Sequence, residues 1–348
     1  MKNLIDKLYK NNNLPKDKLL LLLDNITNED KNYLFEMSLK TKERFYGDKI
    51  YMRGLIEFTN YCKRNCAYCG IRAENNKADR YRLTVNQIME CCAMGEKLGY
   101  KTFVLQGGED SFYTDDKIVE IIKAIKSEFK EAAVTLSIGE KSFETYKKFY
   151  DAGADRYLLR HETASRELYK KHHPHMDFDN RRRCLKDLKK IGYQVGAGFM
   201  VGLPGVTNKD YVEDLIFLKE LSPHMIGVGP FISHKDTPLC NEENGTIEKT
   251  LVLLSIIRLL LPTVLLPSTT AMGSLDSKGR EKALKVGANV VMPNLSPTNV
   301  REKYSLYDGK ICTGDEAAHC RKCIEGRINS AGFSVDMSRG DYIDWRRK

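Results

Sequence analysis

Cys62, Cys66 and Cys69 stand in one short stretch, Cys62-Lys63-Arg64-Asn65-Cys66-Ala67-Tyr68-Cys69, directly after the apolar run 50–58. Three thiols on a loop that leaves a strand can hold a metal centre and leave one of its positions open. A structural zinc ribbon would need a fourth Cys or His close by in sequence. The next cysteines, Cys91 and Cys92, fall instead in a segment with helical spacing. A 4Fe-4S cluster with three Cys ligands, its fourth iron open to a small ligand, fits the count better.

Other segments could bind what such a centre works on. Gln106-Gly107-Gly108-Glu109-Asp110 puts two glycines where backbone must approach a ligand, beside a carboxylate able to accept from an ammonium. The glycines of 196–205 let a ring lie against a strand, with Met200 and Val201 facing it; Pro204-Gly205 alone reads as a turn. Arg160-His161-Glu162 and Arg181 supply an acceptor for hydroxyls and a guanidinium that forks onto carboxylates. Arg181 also opens a run of three arginines, and a solvated face is an equal reading of it. In the tail, Cys312, Cys320 and Cys323 have spacing for a second iron-sulfur cluster, 2Fe-2S or 4Fe-4S; with His319 they would instead make a Cys3His zinc site. His172, His173 and His175 around Pro174 read as a solvated loop. Cys91, Cys92, Cys184 and Cys240 read as small buried apolar groups, and Trp345 gives no signal.

These residues need a scaffold that brings them together. Apolar β-type runs at 51–58, 102–105, 134–138, 156–159, 194–201, 225–228, 264–267 and 289–292 alternate with amphipathic segments at 85–98, 116–129, 143–152, 180–191, 209–221, 248–260 and 280–286. Alternation of this kind signals a parallel sheet wrapped by helices. Eight strands close a (β/α)8 TIM-type barrel, which roughly 250 residues suffice to build. The α/β class follows, with three expected parts: an N-terminal helical cap at 1–49, the barrel at 50–294 and a cysteine-containing extension at 295–348. Barrel active sites lie at the C-terminal strand ends. The residues there are the cysteine loop, Gln106 to Glu109, Ser137, Arg160 to Glu162, Met200, Thr269 with Thr270, and Met292.

The chain has 348 residues and is 42% hydrophobic, a composition for a globular core. Its formal charge of +9 is spread among acidic residues, which reads as solvated helix faces and argues against nucleic acid. The leucine-rich run 251–266 is broken by Arg258 and Pro262, so no membrane span is expected. Ten cysteines and an N-terminus without an apolar signal core point to a reducing compartment, the cytoplasm.

With its aromatic Tyr68 before the last cysteine, the loop resembles the signature of radical S-adenosylmethionine (SAM) enzymes. The resemblance extends over Tyr157 to Thr163, Met200 to Gly205, Ser268 to Gly273, Val291 to Asn294 and the tail cysteines. It is to the biotin synthase-like branch, and within it to maturases of FeFe hydrogenase. It implies that the open iron chelates SAM and that a 5'-deoxyadenosyl radical acts on a small iron- or sulfur-containing, carboxylate-bearing substrate inside the barrel. It further implies SAM contacts from Tyr68, Gly107, Gly108, Glu109, Ser137, Glu162, Arg181, Met200 and Val201. The substrate cavity it implies is lined by Arg53, Gln106, Thr135, Arg156, Arg160, Thr269, Thr270, Met292 and Tyr304. A reductant protein and sister hydrogenase maturases are the implied partners. Biotin synthase is set aside because its second cluster draws on strand cysteines, where this chain has Gln106, Ser137 and Arg160. A methylornithine synthase-like mutase and a non-catalytic iron-sulfur scaffold stand as alternatives.

Overall fold

The computed structural model describes residues 1–314 and 316–347. The expected extension 295–348 therefore includes two positions, Asp315 and Lys348, that lie outside the described residues. The strands are β1 (Lys49–Met52), β2 (Gly54–Thr59), β3 (Thr102–Gly107), β4 (Ala133–Ser137), β5 (Arg156–Leu158), β6 (Gln194–Val201), β7 (Met225–Pro230), β8 (Val290–Val291) and β9 (Ser334–Asp336). β2 to β7 form one parallel sheet in chain order. Helices lie between successive strands, as parallel neighbours require. β1 pairs in parallel with both β8 and β9.

Two expected strands come out differently. The run 51–58 is split at Arg53, so that β1 faces β8 while β2 faces β3. The run 264–267 is not a strand; it makes isolated parallel bridges from Leu265 to Met225 and from Pro267 to Val290. Pro267 has no N–H to donate, and the Leu266 N–H is taken by the Asn289 side chain at 2.8 Å, so no regular ladder forms. Backbone bonds still cross it, from Ile226 N–H to Leu265 O and from Val290 N–H to Leu266 O. Leu55 N–H then donates to Pro293 O at 2.8 Å, and Leu295 N–H donates to Leu55 O at 2.7 Å. The chain of bonds thus returns to β2, giving an α/β fold of the (β/α)8 type.

Three helices, Lys2–Asn11, Lys16–Asn25 and Asn28–Tyr46, precede the strands. Their Ile5, Leu8, Leu19, Leu22 and Leu34 share one continuous apolar core with the barrel. The third starts at a capping box in which Thr27 and Asp30 satisfy each other's backbone N–H. The leucine-rich run forms helix Ile247–Leu260, buried at every position from Thr250 to Leu260. Arg258, fully buried, donates to the carbonyls of Pro262, Val264 and Gly287, tying the helix end to the irregular seventh segment. No described helix is long and apolar enough to cross a membrane.

Candidate active site

The loop after β2 carries Cys62, Cys66 and Cys69 over the C-terminal strand ends, and three neighbours pin its backbone. Lys63 N–H donates to Glu109 O at 3.0 Å, Ala67 N–H to His172 O at 2.9 Å, and Gly70 N–H to Leu306 O at 2.9 Å. The backbone N–H groups of Arg64 and Glu109 both reach Cys62 Sγ at 3.4 Å. Gly108 permits this approach, since a Cβ there would meet Tyr61 O at 2.1 Å. Burial pushes all three thiols up, Cys66 to about 12. A cationic centre bound by the thiolates would offset that cost. Among the described residues no three His, Cys, Asp or Glu side chains converge on a single ion.

The three cysteines open onto a cavity of 410 Å3. Beside the loop its wall is formed by Tyr68, Gly107, Gly108, Glu109, Ser137, Glu162, Arg181 and Met200. Gln106, Arg160, Thr269, Thr270, Met292 and Tyr304 line it as well. Glu109 is bonded by Arg64 Nε at 2.8 Å and accepts from Glu140 N–H at 3.1 Å. Arg181 is buried, which excludes the solvated reading, and its Nε stands 2.8 Å from Glu140 Oε1. Glu162 sits at φ 69°, a conformation rare outside glycine and frequent at functional sites. Burial pushes its carboxyl up, yet Arg160 first, with Arg181, holds it below the usual range. It is therefore an acceptor at neutral pH.

Four expected contacts fall elsewhere. Val201 points into the core and its carbonyl accepts from Phe231 N–H at 2.8 Å. Arg53, Thr135 and Arg156 line a separate 10 Å3 cavity, divided from the large one by Leu158 and Met225. Arg53 and Arg156 stand at the strands' N-terminal side and are engaged by the chain's last residues: Arg53 Nη2 donates to Gly340 O at 2.9 Å, and Arg156 Nη2 pairs with Asp341 at 2.6 Å. Two other readings also fail. His172 and His173 are buried rather than solvated, because the cysteine loop packs onto them, and Cys240 is exposed on an irregular loop rather than buried.

The sequence reading missed Glu57 and Lys310. They form a buried pair at 2.7 Å on the cavity wall, with Asn294 donating to the other Glu57 oxygen at 2.8 Å. A carboxylate inside the apolar run Leu55-Ile56-Glu57-Phe58 was the available signal; Lys310, 253 residues away, had none. In the tail, Cys312 and Cys320 border a small adjoining cavity that shares Glu57, Thr270 and Lys310 with the large one. Burial is not the first cause of the raised Cys320 thiol; its hydrogen bond with Cys312 is. Cys323 lies one turn further on helix Ala317–Ser330 and is exposed. Arg280 Nη1 reaches Cys312 Sγ at 3.6 Å.

A sequence profile of the Radical SAM superfamily matches residues 56–218, the stretch that holds the cysteine loop and the glycine-rich strand ends. The "[FeFe] hydrogenase maturase subunit HydE" of Thermotoga maritima is 48% identical over 86% of this chain and 85% of its own length. The chain belongs to the HydE family of radical SAM enzymes. A 3-methylornithine synthase of Methanosarcina barkeri is 29% identical over 87% of the chain and 86% of its own length. The crystal structure of a methylornithine synthase covers 96% of the chain and 97% of its own, with a TM-score of 0.84 at 27% identity. Membership of the radical SAM superfamily brings a 4Fe-4S cluster and SAM. The residues present fit that pair: three partly buried cysteines line a cavity on whose wall Arg160 Nε and Thr269 Oγ1 are buried with no hydrogen-bond partner among the described residues. A HydE-family site would use such atoms on a polar ligand.

Proposed function

We propose that this radical SAM enzyme acts in assembly of the FeFe-hydrogenase active site, on a small iron- or sulfur-containing, carboxylate-bearing substrate held in the 410 Å3 cavity. The observation that carries the reading is that one cavity is lined by three cysteines of a single loop together with arginine, threonine and tyrosine side chains. In this reading Cys62, Cys66 and Cys69 would hold a 4Fe-4S cluster, and SAM would bind beside it in the cavity. When both are bound they supply a 5'-deoxyadenosyl radical by reductive cleavage. Glu109, now bonded to Arg64, accepts from the SAM ammonium. Arg181 meets its carboxylate and Glu162 its ribose hydroxyls. Tyr68, Gly107, Gly108, Ser137 and Met200 complete that wall. Gln106, Arg160, Thr269, Thr270, Met292 and Tyr304 orient the substrate, and the apolar lining excludes water from the reacting centre.

Cys312, Cys320 and Cys323 are proposed to hold a second iron-sulfur cluster. A reductant protein and sister maturases are the proposed partners, in the cytoplasm. A methylornithine synthase-like mutase has the similarity of fold in its favour; the higher identity to the HydE maturase and the tail cysteines favour the maturase. After anaerobic reconstitution and reduction with dithionite, the protein is expected to cleave SAM to 5'-deoxyadenosine and methionine, and Cys66→Ala is expected not to. An intact protein that holds iron but leaves SAM uncleaved is a scaffold, and the reading fails.

A further inference from the structure

His172 and His173 are each only 1% exposed, and nothing proposed so far uses them. They end the short helix Arg166–His172 and bond two separate segments, the cysteine loop and the turn after β6. The His172 carbonyl accepts from Ala67 N–H, inside the cysteine loop, at 2.9 Å. The His172 ring bonds Pro204 O, in the glycine-rich turn after β6, at 2.9 Å. His173 Nε2 lies 2.9 Å from the hydroxyl of Tyr68, between the second and third loop cysteines. Its Nδ1 lies 3.0 Å from Tyr169 O, and its ring stacks on Tyr169 at 4.3 Å and 18°. Tyr169 in turn accepts from Arg181 Nε at 3.2 Å.

The chemistry of these contacts fixes the tautomers. A carbonyl only accepts, so His173 Nδ1 carries the proton toward Tyr169. Burial pushes the His173 imidazole down to about 4, so the ring is neutral and Nε2 is a bare acceptor for the Tyr68 O–H. By the same reasoning His172 Nε2–H donates to Pro204 O.

We propose that His172 and His173 are positioning residues that hold the cysteine loop at a fixed spacing from the turn after β6, keeping the wall residues Tyr68 and Arg181 in register. This rests on the reading that SAM binds beside Cys62, Cys66 and Cys69. His173 acts through Tyr68 on one wall and through Tyr169 and Arg181 on another, while His172 ties Ala67 to Pro204. The pair is a clamp, and its loss is felt as weaker, less ordered SAM binding rather than as loss of iron.

The test compares wild type, His173→Phe, His173→Gln and Tyr68→Phe after anaerobic reconstitution. It reads iron per chain, thermal midpoint, the EPR change of the reduced cluster on adding SAM, and KM and kcat for SAM cleavage. His173→Phe is expected to keep its iron, raise KM for SAM about tenfold with a smaller change in kcat, and lose most of the EPR change; losing one buried hydrogen bond is worth roughly that factor. His173→Gln, whose amide oxygen can accept from Tyr68, is expected to recover to within about threefold. Wild-type KM and EPR response in His173→Phe, or no recovery in His173→Gln, overturns the clamp. Should His173→Phe fail to fold or to hold iron, Tyr68→Phe removes the same bond from its other side, and an unchanged KM there overturns it equally. A wild type that holds iron but does not cleave SAM overturns the functional reading instead.

Discussion

Arg156 begins β5 and Arg160 follows its end, about 13 Å apart along an extended chain, and they meet opposite surroundings. Arg160 opens onto a 410 Å3 cavity, its Nη2 on Glu162 at 2.8 Å and its Nε without a partner among the described residues. Arg156 is shut in against Thr102 Oγ1, Arg339 O and Asp341 at 2.6 to 3.0 Å, beside a cavity of 10 Å3. The chain's last residues make the difference. β9 runs alongside β1, and residues 339–347 then cross the N-terminal strand ends: Gln194 Nε2 donates to Asp341 at 2.5 Å, and Arg339 pairs with Asp155 at 3.2 Å. Arg156 and Arg160 each keep a buried Nε without a partner among the described residues, so the difference is space: the upper arginine faces 410 Å3, while beside the lower one the cations hold the end shut around 10 Å3. That division is the general one for this architecture, with chemistry at the C-terminal face and stability at the N-terminal face.

The sharpest way to break the comparison is to alter each end and ask whether effects cross over. Cys66→Ala is expected to lower SAM cleavage by about a thousandfold or more, since a cluster short of one ligand loses its iron. Its apo-protein melting should stay near wild type, because Cys66 is only partly buried at the rim. Asp341→Ala is the counterpart. It leaves Arg156 buried without its carboxylate, and by denaturant titration should cost about 3 kcal/mol, with KM for SAM unchanged in the protein that remains folded. Glu109→Gln is smaller: it removes a charge-assisted acceptor, so KM for SAM should rise about tenfold while stability falls less than in Asp341→Ala. A large KM change in Asp341→Ala, or a stability loss in Glu109→Gln equal to it, would mean that the two ends are not separable.

The same contrast explains what the sequence could disclose. The upper end was legible because its parts are local: a cysteine triad in eight residues, a Gly-Gly-Glu after a strand, a glycine-rich strand end. Strand period then put them on one face. The lower end depends on partners that lie 185 residues apart, as in Arg156 with Asp341, or 287, as in Arg53 with Gly340. An arginine next to a strand carries no mark of which end it serves, and Arg53 and Arg156 were accordingly assigned to the substrate. Thr135 went with them, although its register partner is Arg156. His172 and His173 looked solvated because their neighbours Lys170, Lys171 and His175 are exposed; only the packing of the cysteine loop buries them. The seventh strand was misread for a different reason, since Val264 to Leu266 has β composition but Pro267 removes a donor and Asn289 captures another.

The smallest expected effect is one of pH, and it belongs to the lower end alone. Burial pushes the Asp341 carboxyl up, but Arg156 above all, then Arg339 and Gln194, hold it well below the usual carboxylate range. A group whose pKa is depressed by folding stabilises the fold at pH values above its unfolded pKa, near 4, and loses that contribution as the pH falls toward its folded pKa. Urea midpoints of wild type and Asp341→Asn should therefore differ by a constant amount from about pH 7 to pH 5 and converge as the pH falls below about 4. The SAM affinity of the two proteins, measured over the neutral part of that range, should run in parallel, because the partners that bond Asp341, namely Arg156, Arg339 and Gln194, stand at the N-terminal strand ends. Midpoints that stay equally far apart down to pH 3 would show that the carboxylate's charge is not what closes this end, and that the tail is held by its backbone carbonyls on Arg53 and Arg156.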